Sequence, residues 1–138
     1  LALALCQKGY CKTTAEAFSK YIGSNGPAYV KRFKITAAEA IYLILKSYGI
    51  PVLAHPGLYN ADGIVPGLIR IGLMGIEVFH PDHRLADIFR YQKMARKYNL
   101  LVTGGSDFHG AEVGSSPFLG YITVDSQYLE ELKKNRQI

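Results

Sequence analysis

Tryptophan is absent from this sequence, and cysteine occurs only twice, at Cys6 and Cys11. Their spacing fits no zinc ribbon, and two thiols make a poor disulfide framework, so a reducing, cytoplasmic setting is expected. No apolar run is long enough to span a bilayer, and no membrane partner is expected. The opening LALALCQKGY looks briefly like a signal core, but no basic segment precedes it and no small-residue cleavage site follows. A serine-hydrolase elbow of the G-x-S-x-G type is missing, as are a phosphate-cradling P-loop and a dinucleotide fingerprint. Internal repeats and low-complexity tracts are missing too.

What is there is a globular composition. Apolar residues make up 49% and charged residues 20% of the 138 positions, too apolar for a disordered chain and enough for one domain's core. A net charge of +5 suits a phosphorylated or polyanionic ligand without demanding one, because the Lys and Arg residues are scattered. The missing initiator Met, before a helix-like opening, suggests a chain continuing upstream.

Thr13 with Glu16 and Thr36 with Glu39 have capping-box spacing and predict helices over about 14–22 and from about 37 onward. Behind the second cap, Ile41, Ile44, Leu45 and Tyr48 share a helical face, with Gly49 as the stop. From there apolar runs alternate with helical patterns: IPVLAHPG, then VPGLIRIGLMG, IEVFHP, HRLADIFRYQKMARKYN and LLVTGGSDFHG. The strands are near-continuous in Val, Ile and Leu, as when both faces are covered, which predicts a parallel α/β sheet or barrel. LGYITV is expected as a last strand and SQYLEELKKN as a closing helix.

The chemistry-bearing residues fall at the strand ends. His55 closes the first strand, His80 closes the second, and Asp107 and His109 close the third. In a parallel sheet the carboxyl ends of the strands share one rim, so these side chains are expected to converge. An extended GSDFHG would turn Asp107 and His109 to one side and Phe108 into the packing. Gly104 and Gly105 would leave room for a ligand's close approach, and Pro56 would hold His55 extended. A His/Asp set without cysteine favours Zn2+, Mn2+ or Fe2+ and metal-assisted hydrolysis. The bland alternatives are a turn and helix cap for Asp107 and His109, a buried structural ring for His55, an exposed strand end for His80 and a cap neighbour for His83. Glu77, inside the second strand, reads as structural. Lys31 and Arg32, beside Tyr29 and Phe33, read from composition as a solvated edge.

In combination, IPVLAHPG, GLMGIEVFHPDH and LLVTGGSDFHG resemble the second half of a PHP-domain (polymerase and histidinol phosphatase) metal-dependent phosphoesterase. The nearest likeness is to the branch of nucleoside 3′,5′-bisphosphate phosphatases and 5′-3′ exoribonucleases. GYCKTTAEAFSKYIGSNGPAYVKRFKITAAEAI is similar to that branch's small helical insertion. The resemblance implies a helical insertion or lid over residues 1–35 and, over 36–138, the second half of a seven-stranded, distorted parallel (β/α) barrel. It also implies hydrolysis of phosphate esters of a nucleotide or short oligonucleotide, with two or three divalent ions in the intact enzyme. His55, Asp107 and His109 would be metal ligands; Arg32, with Lys31, would lie near the substrate phosphate; His83 would lie near the catalytic site. His80 stands where relatives often carry an aromatic residue. The family's HxH pair is absent, so the chain is expected to need the N-terminal half of the same polypeptide, and to be inactive alone. A metal-dependent amidohydrolase and a non-catalytic nucleic-acid- or protein-binding module are the alternatives.

Overall fold

The computed structural model describes residues 1–31, 33–109 and 119–136. The chain forms two compact units, Leu1–Lys34 and Ile35–Ile138.

In the first unit, α1 (Ala2–Gln7) is followed by α2 (Thr14–Ala17), which runs on as a π-helical turn over Phe18–Ile22. The Thr13 side chain caps α2 by accepting the Glu16 N–H, as the spacing predicts. Only half of a capping box forms, because the Glu16 carboxylate turns to the Lys12 N–H and to Lys20 instead. The Cys6 and Cys11 sulfurs lie 3.1 Å apart as thiols.

The second unit begins with α3 (Ala37–Lys46), where Thr36 and Glu39 complete a full reciprocal capping box. Ile41 enters the core and Leu45 packs against it, whereas Ile44 and Tyr48 stay exposed. The helix turns off at Tyr48, whose φ is 59°, and not at a left-handed Gly49. Gly49 is needed for another reason: an added Cβ would sit 2.9 Å from the Ile44 side chain.

Three parallel strands come next, in the order β1-β2-β3: Val52–Leu53, Gly75–Phe79 and Leu101–Gly104. The crossovers are α4 (Val65–Arg70) and α5 (Leu85–Tyr98), with single 3-10 turns at Pro56–Leu58 and Ala61–Gly63. β2 is central and apolar because helices and neighbours cover it; Ile76 and Val78 are wholly buried. Around them lie Val65, Leu68, Leu73, Tyr91, Ala95 and Leu100. Burying side chains of this size stabilises by roughly 1.5–3 kcal/mol each, which is what sets the pleat register.

Pairing of β2 with β3 slips once, with Glu77 opposite Thr103 but Phe79 opposite Gly104. Val78 is therefore the extra residue of a bulge, a device that bends a strand and re-aims the residues beyond it. Residues 119–124 run as turns, bends and irregular backbone, not the expected strand, before the last described helix, α6 (Ser126–Lys134). Pairing partners, not β propensity, decide a strand, and this segment has none on the sheet. Among the described residues no helix is long and apolar enough to cross a membrane.

Candidate metal centre

The three strand ends do bring their polar residues together. The His55 and His80 rings pack edge to face with centroids 5.4 Å apart, and His80 Nε2 lies 3.5 Å from Asp107 Oδ2. Residues from β1, β2 and β3 thus meet at one rim, the arrangement that strand-end spacing predicts.

His55 reaches that rim by an unexpected route. Its backbone lies at φ 29°, ψ 55°, in the left-handed region and not extended. The steric rule for a residue before proline is outweighed here by two hydrogen bonds. The His55 N–H donates to Glu77 Oε2 at 2.7 Å, and its C=O accepts the Leu58 N–H at 3.1 Å to close the 3-10 turn. Glu77 is thus a support of the site and more than a generic strand residue. A carboxylate in a strand covered on both faces needs a partner, and that was the signal for it in IEVF. Tyr59 stacks edge-on against the His55 ring at 5.6 Å, and its hydroxyl donates to the Ala54 carbonyl. Burial, and then the charge of Glu77, push its phenol above the usual range.

Beyond β3 the chain is irregular. Asp107 has φ 49°, so the extended alternation expected over GSDFHG does not hold. Phe108 is 40% exposed and not packed inward. The local geometry is set instead by the His109 Nδ1–H, which donates to the Asp107 carbonyl at 2.6 Å. That bond places the ring proton on Nδ1 and the lone pair on Nε2 of an exposed ring, the tautomer a metal ligand at Nε2 requires. Gly104 serves packing and not a ligand. A Cβ there would lie 2.5 Å from Phe79 Cβ and 2.6 Å from the Phe79 carbonyl oxygen. Among the described residues nothing lies within 4 Å of a Cβ added at Gly105.

His80 and His83 are buried, with their rings 5.4 Å apart. They are held in opposite senses. The His83 Nδ1–H donates to Val78 C=O, the bulge residue's carbonyl, at 2.9 Å, and Nε2 accepts the Gly57 N–H at 3.1 Å. Both nitrogens are occupied, so the ring brackets the bulge to the turn after His55. That bracket speaks against the catalytic role expected of His83, since a proton carrier needs a nitrogen within reach of substrate. Gly57 permits the bracket, because a Cβ on it would come within 2.7 Å of His83 Cδ2. His80 is the reverse: Nδ1 accepts the Asp82 N–H at 3.2 Å, and buried Nε2 has no hydrogen-bond partner among the described residues. His55 Nδ1 is likewise buried and unpartnered.

Among the described residues, no group of three or more His, Cys, Asp or Glu side chains is arranged to hold a metal ion. Lys31 is exposed in the first unit, and Arg32 lies outside the described residues.

No family model matches the chain. It is similar to the phosphoribosyl 1,2-cyclic phosphate 1,2-diphosphodiesterase of Eggerthella lenta, 44% identical over 87 residues, covering 63% of this chain and 33% of that protein. It is also similar to the 3′,5′-nucleoside bisphosphate phosphatase of Chromobacterium violaceum, 30% identical over 115 residues, covering 80% of this chain and 40% of the relative. With the 5′-3′ exoribonuclease Rnm of Escherichia coli it shares 30% identity over 110 residues, 76% of this chain and 38% of the enzyme. Among solved structures, one assigned as a metal-dependent phosphoesterase from Bifidobacterium adolescentis superposes with a TM-score of 0.80 at 27% identity. That match covers 99% of this chain and 49% of the other. A structure from Chromobacterium violaceum named an amidohydrolase, with sulfate bound and no metal, gives a TM-score of 0.69 at 26% identity, covering 97% of this chain and 49% of that one. The chain thus spans 33–40% of the length of these curated relatives. In sequence and in fold it is a relative of PHP-type metal-dependent phosphoesterases, matching a part of each.

Proposed function

We propose that this chain is the carboxyl-terminal part of a phosphoesterase that uses divalent ions to hydrolyse phosphate esters of nucleotides or short RNA. The observation that carries the reading is the convergence of His55, His80 and Asp107 at one strand-end rim, with the buried His55 Nδ1 left unpartnered among the described residues. Buried polar atoms are normally satisfied, so the orphaned His55 nitrogen beside this rim favours a missing ligand. Nitrogen and carboxylate oxygen donors without thiolate fit Mn2+, Zn2+ or Fe2+. His55, Asp107 and His109 would hold the ions, with further ligands from sequence that this chain does not contain. Divalent ions held there would supply Lewis-acid activation of water and charge neutralisation for a phosphate ester.

The chain's own residues have separable roles in this reading. Glu77 fixes the backbone that aims the His55 ring, and the Asp107 carbonyl fixes the tautomer of His109. Asp107 offers a half-exposed carboxylate at the rim. Lys31 and Arg32, on the family resemblance alone, would meet the substrate phosphate. His83 is given a bracing role and no proton transfer. The three-stranded sheet would be part of a distorted parallel barrel, with residues 1–35 as a helical insertion.

The test is release of phosphate from adenosine 3′,5′-bisphosphate, or of nucleotides from a short RNA, by the intact protein. Turnover should stop on chelation, return with Mn2+, and be abolished in Asp107→Ala. Hydrolysis of an amide in place of a phosphate ester would favour the amidohydrolase alternative, which the second structural likeness keeps open. Salt-sensitive RNA binding without any turnover would favour a binding module.

A further inference from the structure

Resting on the phosphoesterase reading above, we propose that His80 is a positioning residue for Asp107: its Nε2–H orients the carboxylate without itself binding an ion. Three observations carry this. First, the ring is 2% exposed and lies close to both other members of the rim, with the His55 ring at a centroid distance of 5.4 Å and Asp107 Oδ2 at 3.5 Å from Nε2. Second, Nδ1 accepts the Asp82 N–H at 3.2 Å, so it carries no proton and the ring's N–H is on Nε2. A protonated nitrogen cannot coordinate a cation; it can donate to a carboxylate. Third, Nε2 has no other partner among the described residues, and closing its gap to Asp107 by about half an ångström would make a normal charge-assisted hydrogen bond.

The neighbouring ring sharpens the assignment. His83 has its proton on Nδ1, spent on Val78 C=O, and its Nε2 spent on Gly57. Of the two buried histidines on this loop, only His80 has a donor aimed at the rim. A carboxylate that binds a metal is commonly held by a hydrogen bond to its second oxygen, and loss of that bond weakens metal binding by roughly 10- to 100-fold.

The experiment compares the intact protein with His80→Phe, His80→Gln and Asp107→Ala. Phe fills the buried volume without a donor; Gln can carry an amide N–H to the place of Nε2. Mn2+ affinity is read by calorimetry in the absence of substrate, and kcat and KM for adenosine 3′,5′-bisphosphate are read separately. His80→Phe should weaken Mn2+ binding about 10-fold or more and lower kcat at saturating metal with little change in KM. His80→Gln should recover most of the affinity. If His80→Phe binds Mn2+ as the unmodified protein does while Asp107→Ala does not, the inference falls and the metal centre stands. If Asp107→Ala also binds Mn2+ normally, the metal centre itself is misassigned. A Gln variant no better than Phe would assign His80 to packing alone and would also overturn the inference.

Discussion

Replacing Glu77 by alanine should reveal how the His55 backbone is held. The Glu77 carboxylate accepts the His55 N–H at 2.7 Å, and that N–H belongs to a residue with φ 29° directly before a proline. A hydrogen bond to a charged acceptor contributes about 1.5–3 kcal/mol, and an unusual backbone conformation of this kind stores about 1–3 kcal/mol that its surroundings must offset. Alanine removes the acceptor but also removes a half-buried carboxylate, whose desolvation opposes folding. The net expected loss is therefore about 1–2 kcal/mol, with Glu77→Gln, which keeps a carbonyl acceptor, below about 1 kcal/mol. The assay is urea unfolding of the intact protein followed by circular dichroism, alongside Mn2+ affinity by calorimetry. Freed from its clamp, the His55 ring should lose its fixed aim, and Mn2+ affinity should fall about 10-fold in the alanine variant. An alanine variant with unchanged unfolding midpoint and unchanged Mn2+ affinity would show that the Glu77 bond holds nothing, and the account of the left-handed His55 would be wrong.

Other outcomes follow from the packing and the titrating groups. Gly104→Ala should destabilise the protein by about 1–3 kcal/mol, because the backbone carbonyl of Phe79 at 2.6 Å cannot rotate away; a variant melting with the parent would refute the close approach. The Tyr91 phenol is pushed up to about 12 by burial and by its hydrogen bond to Asp62. The neutral form is thus favoured in the folded state, so its contribution is full below about pH 10 and fades as pH rises through about 12. Tyr91→Phe should cost about 1–2 kcal/mol at pH 8, and tyrosinate absorbance should show one phenol fewer titrating last. Burial, then the contact with Cys6, pushes the Cys11 thiol up to about 11. Alkylation of Cys11 should accordingly rise about tenfold per pH unit well past pH 9; labelling at pH 8 at the rate of a free thiol would contradict its buried setting.

Much of the fold was legible because its signals are local or periodic. The Thr36–Glu39 box, the helical face carrying Ile41 and Leu45, and the apolar runs of β1, β2 and β3 all appear where the sequence puts them. The rim was legible for a topological reason: parallel strands share a carboxyl edge, so residues after each strand must converge. What escaped depends on single contacts across the sheet. Nothing local in AHPG announces a left-handed histidine, because one of the two bonds that hold it comes from a carboxylate 22 residues away. Extended alternation failed over GSDFHG because β3 stops at Gly104, and a chain without a ladder partner keeps no pleat. The Gly104 role was misread since sequence cannot show that β2 bulges toward it. The tautomers of His80 and His83 are set by backbone groups that no spacing rule identifies.

The contact of Gly57 with His83 ties the history of two distant motifs together. The hydrogen in place of a side chain at 57 and the imidazole at 83 fill one volume between them. A lineage that acquires any side chain at 57 must give up that ring, or shift the turn that carries His55. Among aligned relatives, the two positions should therefore change as a pair, with a smaller residue at 83 wherever 57 is no longer glycine.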